Sequence, residues 1–463
     1  MRFDSLAGVG LACWALVGPT ASSAMVLPRD STGLLSRLTQ TANDKSAGQK
    51  TSDTSSSLVS LLTNQSSLPH SAADVGSVQE AQDKINRAHS NLEANKSSSL
   101  LDLVHDLVGS GSIPLDLVSL LNGYLDLSLN SINNNNPPPP SKQAIYPSKQ
   151  TGDAPYSIPE EKLRAVIHIP DSFAYGKNGK KPVILVPGTA IPAGLTYHFN
   201  FGKLGEAAPN ADVVWVNIPR ASLNDAQANS EYVAYAINYI SAISSDANVA
   251  VISWSQGGLD TQWALKYWPS TRDVVEDFIP ISPDFHGTVE RSFVCPALDP
   301  LICTPSIQQQ AWETDFIQTL RADGGDSAYV PTTSVYSTTD EIVQPMSGDK
   351  ASAILSDTRD VGVTNNHLQT VCPGKPAGGV YLHEGVLYNP LAWALAIDAL
   401  NHDGPGDVSR IDIDTVCEQF LAPPLQLDDM LGTEGLLLVA LVELLAYVPK
   451  VVDEPPIAKY ASQ

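Results

Sequence analysis

Ser255 lies in the run from Val249 to Trp263, where an apolar, β-branched stretch is broken by Ser253, Ser255 and the pair Gly257-Gly258 and then resumes at helical spacing. A serine on such a strand, sharp turn and helix can attack a carbonyl carbon, because the turn holds its hydroxyl clear of the strand end in a strained backbone conformation. The strain demands small residues two positions to either side. Ser253 and Gly257 fill those places, although the usual pattern has glycine at both. A glycine-capped βα turn with an incidental serine is the competing reading, so the partners decide.

A serine hydroxyl is a poor nucleophile at neutral pH, and it needs an imidazole to take its proton and a carboxylate to orient that imidazole. In chains built around such a turn the order is serine, acid, histidine. Three histidines follow the candidate acids: His367, His383 and His402. His383 follows Gly378-Gly379-Val380-Tyr381-Leu382, which reads as a strand, whereas His367 and His402 stand in Asn-rich, loop-like surroundings. Asp340 follows Ser334 to Thr339 on the loop leaving a strand, while Asp326 and Asp360 sit in polar loops. Asp340 and His383 are therefore the expected partners of Ser255. The tetrahedral intermediate also needs two donors for its oxyanion. The backbone N–H of Gln256 supplies one, and Thr189, after Val183-Ile184-Leu185-Val186-Pro187-Gly188, supplies the other.

These residues need a scaffold, and from Ala154 onward the chain alternates strand-like and helical patterns. Strands are expected over Ala165 to Ile169, Val183 to Val186, Val213 to Val216, Val249 to Ile252, Asp277 to Ile281, Ser334 to Tyr336 and Val380 to Leu382. Helical spacing appears over Glu231 to Ile243, Thr261 to Tyr267, Ile307 to Leu320 and Leu391 to Leu400. The fold class is α/β, a mainly parallel sheet with helices on both faces. In such sheets chemistry collects at the carboxyl ends of the strands, where Ser255 falls.

The chain has 463 residues. Residues 1–24 read as a signal peptide, with Arg2, the apolar stretch Leu6 to Val17 and small residues at Ala21 to Ala24, so a secreted, extracellular protein is expected. Residues 25–132 are rich in Ser, Asn, Ala and Asp, with helical spacing over Val75 to Leu92 and Leu100 to Leu129. They form a propeptide or an appended helical module without a core of its own, carrying glycosylation sequons at Asn64 and Asn95. Residues 133–150, with four asparagines and four prolines in a row, read as an exposed semi-rigid spacer before the main domain, 151–463. Cys13 leaves with the signal. Of the three pairings open to the other four cysteines, the sequence-near one is preferred: Cys295 with Cys303, and Cys372 with Cys417. Their spacing matches no zinc pattern, and no metal or cofactor is expected. With 50 Asp and Glu against 27 Lys and Arg the formal charge is −23, which argues against nucleic acid or an anionic membrane as partner.

Val183 to Thr189, Leu223 to Glu231, Ser253 to Gly258, Ser282 to Thr288 and Val335 to Pro345 resemble the fungal lipase B family of α/β-hydrolases, the Candida antarctica lipase B type. The stretch Thr339-Asp340-Glu341-Ile342-Val343-Gln344-Pro345 is long and specific, and the resemblance covers roughly Ile158 to Ala461. It implies the roles already assigned to Ser255, Asp340, His383, Thr189 and Gln256. It adds Asp284 and Gln310 on the acyl side of a substrate pocket and Trp254 as the residue limiting room for the alcohol. It also supports the Cys372–Cys417 pair and places the apolar run Leu436 to Val448 as a helix at the mouth of the site. An exposed apolar helix there would suit long acyl chains or a lipid–water interface; a core helix is the alternative. The sequence departs from the family at Ala190-Ile191-Pro192-Ala193, at Cys295 and Cys303, and at Glu384-Gly385, where a carboxylate beside His383 would raise the imidazole pKa. The expectation is a monomeric serine hydrolase of lipophilic esters, a triacylglycerol lipase or carboxylesterase. The alternatives are an esterase or amidase of other acyl substrates and a non-catalytic cell-wall binding protein.

Overall fold

The computed structural model describes residues 34–43, 56, 59, 75–94, 99–113, 128–140, 144–295 and 302–462. The expected signal peptide, residues 1–24, and the sequon residues Asn64 and Asn95 lie outside these. Seven strands among the described residues form one sheet: β1 (Ile167–His168), β2 (Lys181–Val186), β3 (Ala211–Val216), β4 (Val249–Trp254), β5 (Val275–Ile281), β6 (Thr332–Tyr336) and β7 (Val363–His367). Their order is β1-β3-β2-β4-β5-β6-β7. β1 runs antiparallel to β3, and the other pairings are parallel. Central strands read as continuous apolar runs because both their faces are covered. In β4, Val249 and Val251 join a cluster with Ile184, Val186 and the helices α4 (Ala226–Ile243) and α5 (Gln256–Tyr267). Ala250, Ile252 and Trp254 point the other way, into a cluster with Val183, Leu185 and α6 (Pro390–Asn401).

Two sequence-based strands are corrected. The last strand is Val363–His367, and Val380 to Leu382 is extended chain outside the sheet. β7 is the sheet edge, half-exposed, so Asn and Thr are tolerated there; Asn366 Nδ2 donates to Ser334 O at 3.1 Å. The backbone at 379–381 is held by side chains instead: Gln369 Nε2 donates to Gly379 O at 2.8 Å, and Tyr381 exchanges bonds with Thr339 Oγ1. The expected strand over Ala165 to Ile169 shrinks to Ile167–His168 behind a short helix, Glu160–Ala165. The helical pattern over Ile307 to Leu320 divides into Pro305–Gln309 and Asp315–Arg321.

The segment before the main domain is docked on it. Helix α1 (Leu34–Asn43) packs on α8 (Leu436–Ala446), which follows α7 (Leu427–Glu434). Helices α2 (Val78–Ala94) and α3 (Leu100–Ser110) bury Ala81, Ile85, Leu103, Val104 and Leu107 in the same cluster as Leu437 and Val183. Helix α3 ends where Gly111 takes a left-handed conformation, φ 79°. The Asn/Pro run is largely exposed yet tied down. Asn134 N donates to Ala165 O at 2.8 Å, Asn136 Nδ2 to Ile167 O at 2.7 Å, and Tyr239 Oη to Pro137 O at 2.7 Å. No helix among the described residues is long and apolar enough to cross a membrane.

Candidate active site

After β2 the chain moves outward to β3 and then returns across β2 to β4, so the loops leaving β2 and β4 face each other at a topological switch point. Gly188 on one and Ser255 on the other nearly touch: a Cβ on Gly188 would stand 2.8 Å from both Ser255 Cβ and Trp254 Cε3. Ser255 has φ 55° and ψ −132°. This strain is held by Ser255 N donating to Ile281 O at 3.0 Å and Gly258 N to Ser255 O at 2.8 Å. A Cβ on Gly257 would lie 2.5 Å from Val186 O and 2.6 Å from Pro187 O, both backbone atoms that cannot yield. The requirement for small residues around the turn is therefore met, with Ser253 buried and tolerated on the strand side.

His383 and Asp340 are brought together at this strand end. His383 Nδ1 and Asp340 Oδ2 are 2.7 Å apart, and Asp340 Oδ1 accepts from the N–H groups of Ile342 at 3.0 Å and Val343 at 2.8 Å. The carboxylate is thus fixed by three bonds and has one orientation to offer the ring. The Trp254 ring lies beside the imidazole, 5.0 Å between centroids, and its Nε1 donates to His383 O at 3.1 Å. His383 Nε2 is buried without a hydrogen-bond partner among the described residues, and it shares one cavity with Ser255. His367 and His402 do not line that cavity. His367 bonds Thr338 and Thr370, and His402 bonds Asp398.

Thr189 Oγ1 lies 2.7 Å from Gln256 Oε1 and 3.2 Å from Gln310 Oε1, and Gln310 Nε2 donates to Gln256 Oε1 at 2.9 Å. Gln256 also opens α5, where backbone N–H groups have no partner in their own helix. Thr189, Trp254 and Gln310 line the cavity with Ser255 and His383, whereas Gln256 and Asp284 are not on its wall. Asp284 is fully buried, neither of its oxygens has a partner among the described residues, and burial pushes its carboxyl up to about 7.

The sequence reading missed several of the groups around His383. Burial alone would lower the imidazole, but Asp340, Glu341 and Asp284 together raise it above its ordinary value. Glu384, expected to tune the ring, is not among the largest of these influences. Its carboxyl instead faces Glu434 and Glu341, and burial followed by those two charges holds it well above the carboxylate range. Glu341 Oε2 accepts from His383 N at 3.0 Å, and burial with Asp340 drives Glu341 up to about 8. Glu434 accepts from Tyr388 Oη at 2.6 Å, and burial drives it up to about 7. The cavity wall also holds Arg291 and, from the N-terminal segment, Leu100, neither of which carried a sequence signal.

Helix α8 does border the cavity, through Leu437, Ala440 and Leu444. It is not an exposed apolar surface, however: Leu436 to Leu445 are buried, with α1 and α3 against them. The single acid of α8, Glu443, pairs with Arg37 of α1.

The switch-point serine facing a carboxylate-held imidazole makes this an α/β-hydrolase. The chain is 32% identical over 285 residues to Lipase B of Pseudozyma antarctica, aligning 61% of this chain with 79% of that one. The crystal structure of Aspergillus fumigatus lipase B matches 93% of this chain and 100% of its own, at 66% identity and a TM-score of 0.87. No protein-family model matches the chain. The chain belongs to the lipase B family and is an ester-cleaving hydrolase. The structure also pairs the cysteines as expected, Cys295 with Cys303 and Cys372 with Cys417.

Proposed function

We propose that the protein is a secreted triacylglycerol lipase and carboxylesterase whose nucleophile is Ser255, whose base is His383 and whose orienting acid is Asp340. The observation that carries this is the imidazole, bonded at Nδ1 to a fixed carboxylate and unpartnered at Nε2 in the cavity that Ser255 lines. Ser255 Oγ attacks the ester carbonyl as His383 Nε2 takes its proton, and the imidazolium beside Asp340 then returns that proton to the departing alcohol. The Gln256 N–H and Thr189, by its N–H and hydroxyl, receive the oxyanion; the hydroxyl turns from Gln256 Oε1 to do so. Water repeats the sequence on the acyl-enzyme. Gln310 holds the Thr189–Gln256 pair in place. An active-site phosphonate should label Ser255 alone, as read by peptide mass; labelling at another serine, or none, would remove the assignment.

An N-terminal signal at 1–24 and two disulfides support secretion. The 93% of this chain matched by the Aspergillus fumigatus structure is wider than residues 151–463, which are about two thirds of it. This favours residues 25–132 as a retained module over a removed propeptide, and sequencing the N-terminus of the secreted protein would decide.

Three expected results follow from the site. Because the base must be neutral and its folded pKa is raised, the acid limb of kcat/KM should lie above the ordinary imidazole value of 6.5. A limb below 6 would contradict the raised value. Trp254→Ala should open the alcohol side. Its loss also removes a bond to His383 O and slows all substrates, so the readout is the ratio of kcat/KM for a bulky 1-phenylpropyl ester to that for an ethyl ester. That ratio should rise by about tenfold, and an unchanged ratio would place Trp254 away from the alcohol. Interfacial activation should be weak, since α8 is already covered and the short helix Arg291–Val294 on the cavity wall is followed at once by the Cys295–Cys303 staple. A sharp rate jump above substrate solubility would argue against this.

A further inference from the structure

We propose that Leu100, in the N-terminal segment, sets the chain-length preference of the ester cavity; the inference rests on the serine-hydrolase reading above. Leu100 is the first residue of α3 and is the one residue before Thr189 on the cavity wall among the described residues. Its relative exposure is 2%, so its side chain is spent on the cavity and its lining and not on solvent.

Three features hold it there. The Ser99 hydroxyl accepts from Asp102 N at 3.3 Å while Asp102 Oδ2 accepts from Ser99 N at 3.0 Å, a reciprocal cap that keeps the first turn from fraying. Leu103, Val104, Leu107 and Val108 then bury the rest of α3 in the core that contains Leu437 and Leu438 of α8. Finally, α2 packs on α3 and is pinned by Gln82 Nε2 donating to Val380 O at 2.6 Å, three residues before His383. The N-terminal module is thereby anchored to the strap that carries the proposed base, and Leu100 has little freedom to withdraw.

A branched aliphatic side chain at a fixed point on an apolar wall limits the length and branching of the hydrocarbon that fits. Removing three of its carbons creates room, and a larger ring takes it away. Discrimination by a methylene or two in such a pocket reaches about tenfold or more.

The test is a pair of full-length variants, Leu100→Ala and Leu100→Phe, assayed on two ester series: p-nitrophenyl esters from butyrate to palmitate, and butyrates of alcohols from ethanol to octanol. In one series the ratio of kcat/KM for long over short chains should rise by about tenfold in Leu100→Ala and fall by a similar factor in Leu100→Phe. The series that responds tells which half of the ester meets Leu100. Ratios unchanged in both series, or moved in the same direction by both variants, overturn the proposal, because a general loss of stability cannot change sign with side-chain size. A wild-type protein inert toward every ester would instead sink the functional reading on which the proposal rests.

Discussion

Ser255→Ala should lower kcat/KM for a soluble ester by about 10⁴- to 10⁶-fold while leaving thermal unfolding nearly unchanged. The proposed chemistry needs the hydroxyl, whereas the fold does not: Ser255 caps no backbone group of α5 with its side chain. Alanine accepts the same left-handed backbone at the same strain as serine, so the turn, locked by Gly257 against Val186 O and Pro187 O, should persist. His383→Ala should lose a comparable factor, because nucleophile and base act as a unit and removing either leaves only the oxyanion donors and binding. His367→Ala and His402→Ala should stay within about twofold of wild type by the same reasoning, being bonded elsewhere and off the cavity. Residual turnover of Ser255→Ala within tenfold of wild type would move the nucleophile elsewhere, and a collapse of activity in His367→Ala would move the base.

Stability should fall steeply between pH 5 and pH 9, and the cause lies in the buried acids around His383. An unfolded glutamic acid ionises near 4.5, whereas folded Glu434 does so at about 7 and Glu341 at about 8. Between those values the folded chain holds protons that the unfolded chain has released. The stabilisation is complete below the unfolded pKa and is lost as pH rises through the folded one. Each unit by which folding lifts a carboxyl is worth about 1.4 kcal/mol. Glu384 and Asp284 are raised as well and act in the same direction, and so does His383, whose folded pKa is also raised. Urea unfolding at pH 5, 7 and 9 would measure the slope. In Glu434→Gln the amide oxygen still accepts from Tyr388 Oη and no charge can form at position 434, so this variant should outlast wild type at pH 9 and differ little at pH 5. Wild-type stability that is flat or rises across the range would mean that these carboxyls do not hold their protons in the fold.

The parts of the site that were legible in the sequence are those governed by local constraint. A strained serine turn needs small neighbours within two residues, and a central parallel strand needs an unbroken apolar run, so Ser253, Gly257 and Val249 to Ile252 announce themselves. Asp340 was legible for the same reason, as the first acid after the apolar β6. His383 was preferred to His367 on a premise that the structure overturns. Its preceding residues are not a strand, and the real edge strand ends at His367, disguised by Asn365 and Asn366 because an edge does not require apolar side chains. The acid cluster was illegible because Glu384 and Glu434 are distant in sequence and meet only through the packing of α7. The cover over α8 was hidden in the same way. An apolar helix reads alike whether oil or another helix lies on it, and Leu103 and Val104 give no sign of which surface they seek.

That cover has a consequence for how the chain is made. Helices α1 and α3 are translated early, and the helix they lie against, Leu436–Ala446, lies within the last 30 residues of the chain. Through most of synthesis Leu103, Val104 and Leu107 leave the ribosome without their final neighbours, and long-range partners of this kind reward the chain only when the far end arrives. A ribosome that stalls or terminates shortly before residue 436 therefore releases a chain with its central sheet complete and its first apolar faces bare, and such a product should be held by chaperones.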